Sequence, residues 1–419
     1  MPLRHEMKRL ILTLSLTLVL AASARGVTQN DTIFIDAATG DTLRPAVQLP
    51  WPQNLSAALD ALTGDEMFQR SLLGLMVWDL TTDSLVYEKN SHQLMRPASV
   101  QKLLTSVTAL KDLGAAYQFQ TRLYATARTD KDSILRGDIY IRGGFDPRFG
   151  SDDMESFVGA LSRGGLKCID GRIFADVSLK DTLKWGKGWC WDDEEKTLTP
   201  LLYNGRDVFM KKFFEKLDAY GISHPGDYIY REVPLDSVWL LDERSHTVDQ
   251  ILVRTLKQSD NLYAESIFYQ LGAQDGQPYP SARLSAARIE ALQRELGLNP
   301  DDYNVADGSG LSLYNYATPH EIVTLLRYVW NHEEIYAHLV TALPIAGEDG
   351  TLKNRMKGGA AHGNVQAKTG TLNSVSTLAG YTTAPNGHRL CFCIMNQGIR
   401  SQSWAHGIQD AICEMMSGM

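Results

Sequence analysis

What the chain lacks narrows it first. It has only 5 cysteines among 419 residues, Cys168, Cys190, Cys391, Cys393 and Cys413. An odd count excludes a fully paired disulfide framework, and no Cys/His spacing resembles a zinc site. His332, Glu333, Glu334 and His338 lack the H-E-x-x-H spacing and read as helix surface. Positive charge is short as well. The 41 Lys+Arg against 49 Asp+Glu give a formal net charge of −8 with no basic stripe, which argues against nucleic acid as a main partner. No stretch beyond residue 24 is long and apolar enough to span a bilayer, so no stable membrane anchor is expected. Internal repeats and low-complexity tracts are absent, which excludes repeat architectures.

What is present is the composition of an ordinary soluble protein, 44% hydrophobic and 21% charged, and the length suggests two or three domains. Arg4, Lys8 and Arg9 precede an apolar run over 10–20 and an Ala22-Ser23-Ala24 site. Residues 1–24 therefore read as a secretory signal removed after Ala24, with no cysteine following to carry a lipid. The expected product is exported, periplasmic and soluble.

Periodicity divides the rest. Residues 55–62 are helical, and 74–79 with 85–88 form a hairpin around Thr81-Thr82-Asp83-Ser84. From about 118 to 243 short strands and helices alternate, with Trp185, Trp189 and Trp191 in one loop. These three rings suit apolar anchors for a small domain, or the wall of a peptide or glycan groove. Helical patterns return after 247, followed by strands near 366–368, 377–381 and 390–395 and a last helix. This order predicts a discontinuous domain, 25–114 with 244–419, interrupted by an inserted α+β domain, 115–243. Cys391 and Cys393 would point to one face of a strand as core residues, and Cys168 with Cys190 is a possible disulfide.

The chemistry-bearing stretch is Arg96-Pro97-Ala98-Ser99-Val100-Gln101-Lys102. Val100, Leu103, Leu104, Val107 and Leu110 recur at helical spacing, so Ser99 falls at or just before a first helical turn, with Lys102 on the same face. One reading of Ser99 is a helix cap. The other is a nucleophile whose base is a lysine of lowered pKa. Ser259-Asp260-Asn261 precedes another helical stretch: it can cap it, or deliver a hydroxyl and an amide to a cleft. Lys368-Thr369-Gly370-Thr371 closes a strand: it can be a plain turn approach, or supply a permanent positive charge that also lowers the pKa of Lys102. Gly370 would let a ligand approach the backbone, and the Thr371 and Ser99 amides could form an oxyanion hole.

The trio S-x-x-K, S-D-N and K-T-G, in this order, is that of class A β-lactamases and penicillin-binding proteins. The long gap between the first two motifs makes the chain resemble the class C low-molecular-mass penicillin-binding proteins, the D-alanyl-D-alanine carboxypeptidase/endopeptidase family. Asp307-Gly308-Ser309-Gly310-Leu311-Ser312, Gly144-Phe145-Asp146-Pro147 and Trp189-Cys190-Trp191-Asp192-Asp193 agree with it. The resemblance implies an α+β fold: a serine β-lactamase/transpeptidase-like domain, its antiparallel sheet flanked by helices on both sides, carrying the inserted domain. It implies peptidoglycan stem peptides as substrates and β-lactam antibiotics as acylating mimics, with no metal and no cofactor.

By the same resemblance Ser99 attacks, Lys102 is the base, Ser259 relays a proton and Asn261 holds a substrate amide. Lys368 and Thr369 would hold the carboxylate region, while Asp146 and Asn373 would face the far end of the substrate. Two departures stand out. The insertion is short, and Leu313 occupies a position that is often basic, with Arg148 as a substitute. Alternatives are a β-lactamase or esterase of this fold, and a non-catalytic peptidoglycan-binding protein. The presence of Ser99, Lys102, Ser259, Asn261 and Lys368 together counts against the last.

Overall fold

The computed structural model describes residues 49–419 other than 65–67, 69 and 194, together with the strand residues 34–35 and 42–43. The signal reading of 1–24 lies outside the described residues. The chain divides into two units, Met1–Pro50 and Trp51–Met419. In the first, Phe34–Ile35 and Thr42–Leu43 pair antiparallel. All that follows concerns the second.

Its main sheet is antiparallel throughout, in the order Gln366–Leu372, Val375–Thr383, Arg389–Gln397, Leu72–Asp79, Ser84–Lys89. The early hairpin thus joins the late strands through one seam, where Cys391 lies opposite Trp78 and Cys393 opposite Met76. The two late central strands are buried on both faces, which requires helices on both sides. Alternation sorts the side chains. Leu75, Val77, Phe392 and Ile394 meet Gln53–Thr63 and Gln402–Gly418 through Leu55, Leu59, Ile408 and Ile412. Met76, Cys391, Cys393 and Met395 face the opposite way, into the core built by Gln101–Asp112, Val248–Lys257, Asn261–Gly272 and Pro319–Trp330.

The helix Gln101–Asp112 is buried on every side from Gln101 to Leu110, not only along its apolar stripe. Two of its threonines are bonded inside: Thr105 donates to the Gly308 carbonyl at 2.7 Å, and Thr108 to that of Leu104 at 2.7 Å.

The second five-stranded sheet has the order Ile229–Tyr230, Ile173–Asp176, Ile139–Arg142, Gln118–Ala125, Trp239–Thr247. Ser151–Arg163 and Phe209–Ala219 cover it through Phe157 and Phe213 against Leu123, Ile139 and Ile141. Its last strand runs on to Thr247, well beyond the apolar piece 238–241, because Asp242 to His246 pair residue by residue with Gln118–Ala125. Thr247 then caps Val248–Lys257, accepting from the Gln250 amide at 3.3 Å. All five cysteines are free thiols, so the possible pairing of Cys168 with Cys190 is not made.

Candidate active site

Ser99 sits in a 3-10 turn, Ala98–Val100, that leads into Gln101–Asp112. It does not cap that helix: the N-cap position is Val100, with no side-chain bond. The turn is tight. Ala98 has φ +47, and Val100 N–H donates to the Pro97 carbonyl at 3.2 Å. Two glycines make room for it. A Cβ on Gly310, itself at φ +81, would fall 1.8 Å from the Ala98 carbonyl oxygen. A Cβ on Gly370 would lie 2.9 Å from both Pro97 O and Ser99 N. Thr377 clamps the same turn by donating to the Pro97 carbonyl at 2.8 Å. Gly370 thus lets its strand lie against the serine turn and the Thr377 hydroxyl that clamps it.

Lys102 is fully buried. Its Nζ donates to Ser99 Oγ at 2.8 Å, to Asn261 Oδ1 at 2.6 Å and to the Ser309 carbonyl at 2.7 Å. All three ammonium donors are therefore used. Burial pushes its pKa down to about 8, opposed by the nearby charges of Asp307, Glu265, Glu195 and Asp260. Asp260 is the N-cap of Asn261–Gly272, which places Asn261 at the helix start with its side chain toward Lys102. Ser259 takes up φ +57, and its Oγ accepts from Lys368 Nζ at 2.8 Å. The three motifs thus meet as two lysine–serine pairs.

Lys368, also fully buried, donates to Ser259 and to the Thr369 carbonyl at 2.7 Å. Burial and the charge of Lys102 push its pKa well below the usual lysine range. Carboxylates gather around Lys102.

The carbonyl that receives Lys102 is held by buried carboxyl groups that the sequence presented only as motif flanks. Glu265 accepts from the amides of Gly308 at 3.1 Å and Ser309 at 2.8 Å. Burial, with the charge of Asp307, pushes Glu265 up to about 8. Asp307 accepts from Gly310 N, Ser312 N and Asn315 Nδ2, each at 2.7 Å, and from Trp189 Nε1 at 2.8 Å. An aspartate followed by a glycine-rich loop was the available signal, since such side chains bond their own backbone a few residues on.

Midway along the strand Gln366–Leu372, Thr369 donates to Thr351 Oγ1 at 2.7 Å. Thr371 and Asn373 are exposed. Asp146 lies apart from these contacts. It is 1% exposed, and its carboxylate takes the Arg148 amide at 2.9 Å and His246 Nδ1 at 2.6 Å. Arg148 donates to the Gln250 carbonyl at 3.2 Å. Leu313 meets the tryptophan loop, its amide 3.5 Å from the Gly188 carbonyl. The three tryptophans divide. Trp189 is buried against Trp185, whereas Trp191 is 93% exposed and anchors nothing.

The model of the D-Ala-D-Ala carboxypeptidase 3 (S13) family matches residues 55–202 and 201–418. A D-alanyl-D-alanine carboxypeptidase from Actinomadura sp. is 26% identical, over 84% of this chain and 82% of its own length. The crystal structure of penicillin binding protein 4 from Haemophilus influenzae superposes with a TM-score of 0.79 at 21% identity, covering 86% of this chain and 99% of that one. A second structure of that protein, complexed with a novel β-lactam, gives 0.70 at 21% identity over 85% and 97%. The fold is thus the α+β architecture of these enzymes, and the chain belongs to the D-Ala-D-Ala carboxypeptidase 3 (S13) family.

Proposed function

We propose that the chain is a serine D-Ala-D-Ala carboxypeptidase, with D,D-endopeptidase action on the corresponding bond of peptidoglycan cross-links. It works through an acyl-enzyme on Ser99, in the periplasm, after export by the signal over 1–24. The observation that carries this reading is the fully buried Lys102, its Nζ at 2.8 Å from Ser99 Oγ. A serine hydroxyl needs such a base, and a buried lysine is one whose proton can leave near neutral pH.

A substrate carboxylate beside Lys368 and Thr369 favours the charged form of Lys368. That charge in turn favours the neutral form of Lys102. Lys102 takes the Ser99 proton as Oγ bonds to the carbonyl carbon. The Ser99 and Thr371 amides hold the oxyanion, worth about 3 kcal/mol per donor in other serine hydrolases. The C–N bond breaks as Ser259 passes its hydroxyl proton to the leaving D-alanine nitrogen and takes one in turn from Lys368, which donates to it. Water then takes the place of the amine and frees Ser99. A β-lactam presents the same carbonyl and acylates Ser99, in keeping with the β-lactam complex of the Haemophilus relative.

The direct test is release of D-alanine from a peptide ending in D-Ala-D-Ala, with a cross-linked muropeptide alongside. Wild type should cleave and Ser99→Ala should not. Equal release by Ser99→Ala, or none by wild type from either substrate, rejects the reading.

A further inference from the structure

The inserted segment reaches the Ser99 site through one loop. A Cβ on Gly188, at φ +79, would fall 2.5 Å from Ser312 Oγ, so the loop starts tight against the 307–315 segment. Trp189 Nε1 bonds Asp307 at 2.8 Å. Lys196 Nζ lies 3.5 Å from Asp260 Oδ2. Next to Lys196, Glu195 Oε1 accepts a hydrogen bond from Asn261 Nδ2. The other end of the same amide, Oδ1, accepts from Lys102 Nζ at 2.6 Å.

A primary amide has one accepting end and one donating end, and an ionised carboxylate only accepts. Asn261 flipped end for end would set its oxygen against the Glu195 carboxylate and its NH2 against the Lys102 ammonium. We propose that Glu195, supplied by the inserted segment, is a positioning residue of the Ser99 site: it locks the Asn261 amide with its oxygen on Lys102 and sets a negative charge one amide away from that lysine.

The electrostatics of the pocket agree. Lys102 is faced by Ser99, Asn261, the Ser309 carbonyl, Glu195, Asp260, Glu265, Asp307 and the second cation Lys368. Glu195 is among the charges that hold its proton on against burial. Glu195 in turn is faced by Asn261, Lys102, Asp260 and the Lys196 amide, and burial raises its own pKa. The kinetic consequence rests on the acyl-transfer reading above, whereas the charge coupling does not.

Two variants separate the parts. Glu195→Gln keeps an oxygen that can accept from Asn261 and removes the charge; Glu195→Ala removes both. The titration of Lys102 is followed by NMR on protein labelled with carbon-13 at the lysine ε position, its signal assigned by loss in Lys102→Met. Glu195→Gln should lower the midpoint by about one pH unit. The rate of Ser99 acylation by benzylpenicillin, measured against pH, should shift its rising limb by the same amount. Glu195→Ala should also lose about tenfold from the plateau, because Asn261 is no longer held. A midpoint unmoved in Glu195→Gln overturns the proposal even where wild type is acylated normally. A moved midpoint in a protein that penicillin does not acylate upholds the coupling and rejects the functional reading instead.

Discussion

Lys102 and Lys368 each stand 2.8 Å from a serine hydroxyl, Lys102 from Ser99 and Lys368 from Ser259. Only Lys102 is surrounded by carboxylates, and burial brings its pKa to about 8. A base must be unprotonated to take the Ser99 proton, so acylation gains as pH rises through that value. The acylation rate is expected to rise about tenfold per pH unit below 8 and to level off above it. Stopped-flow with a fluorescent penicillin reads the profile. Lys102→Met should lose about 100-fold or more across the range. A flat profile between pH 6 and 9 would contradict this role.

The three motifs were legible because each is a run of neighbours whose side chains act together. The electrostatic surroundings of Lys102 were not, because the charges that face it come from positions 195, 260, 265 and 307, which only the fold brings there. The Ala98–Val100 turn was equally hidden, since an alanine at φ +47 announces nothing in sequence. Alternation placed Cys391 and Cys393 on one buried face, because the strand period of two is a local property. It failed for Asp242 to His246, where a polar run pairs as an edge strand and is held by its neighbour's backbone. The partner of Asp146 was hidden too, because His246 lies 100 positions away in the chain.

Gly370 is where the strand touches the serine turn. An added Cβ would lie 2.1 Å from Thr377 Oγ1 and 2.9 Å from Ser99 N. Gly370→Ala should push the strand off the turn and slow acylation by about 100-fold, the order of loss that a displacement near 1 Å causes. Far-UV circular dichroism should stay unchanged. Acylation at the wild-type rate would show that the strand yields without disturbing Ser99.

Trp189 and Trp191 should differ in stability terms. Trp189 Nε1 bonds the buried Asp307 carboxylate, a charged acceptor, so Trp189→Phe should cost about 2 kcal/mol in denaturant unfolding. Trp191 is 93% exposed, and Trp191→Phe should stay within about 0.5 kcal/mol of wild type. Equal effects would mean that the indole bond to Asp307 contributes nothing.

Glu321 is fully buried on Pro319–Trp330, bonded through one oxygen to Gln293 Nε2 at 2.6 Å. Its second oxygen has no partner among the described residues. Burial pushes its pKa up to about 8 from an ordinary value of 4.5. The folded protein therefore keeps a proton that the unfolded chain releases between these values. The contribution of Glu321 to stability is least unfavourable below pH 4.5 and worsens by about 5 kcal/mol as pH rises to 8. Glu321→Gln should raise Tm clearly at pH 9 and little at pH 5. Parallel pH curves for the two proteins would rule this out.

The central claim, that Ser99 is a nucleophile activated by Lys102, is tested most directly by intact mass after incubation with benzylpenicillin, wild type beside Ser99→Ala. A persistent adduct of one drug molecule on wild type only is the expected result. An adduct on both proteins, or on neither with the penicillin left intact, would contradict it.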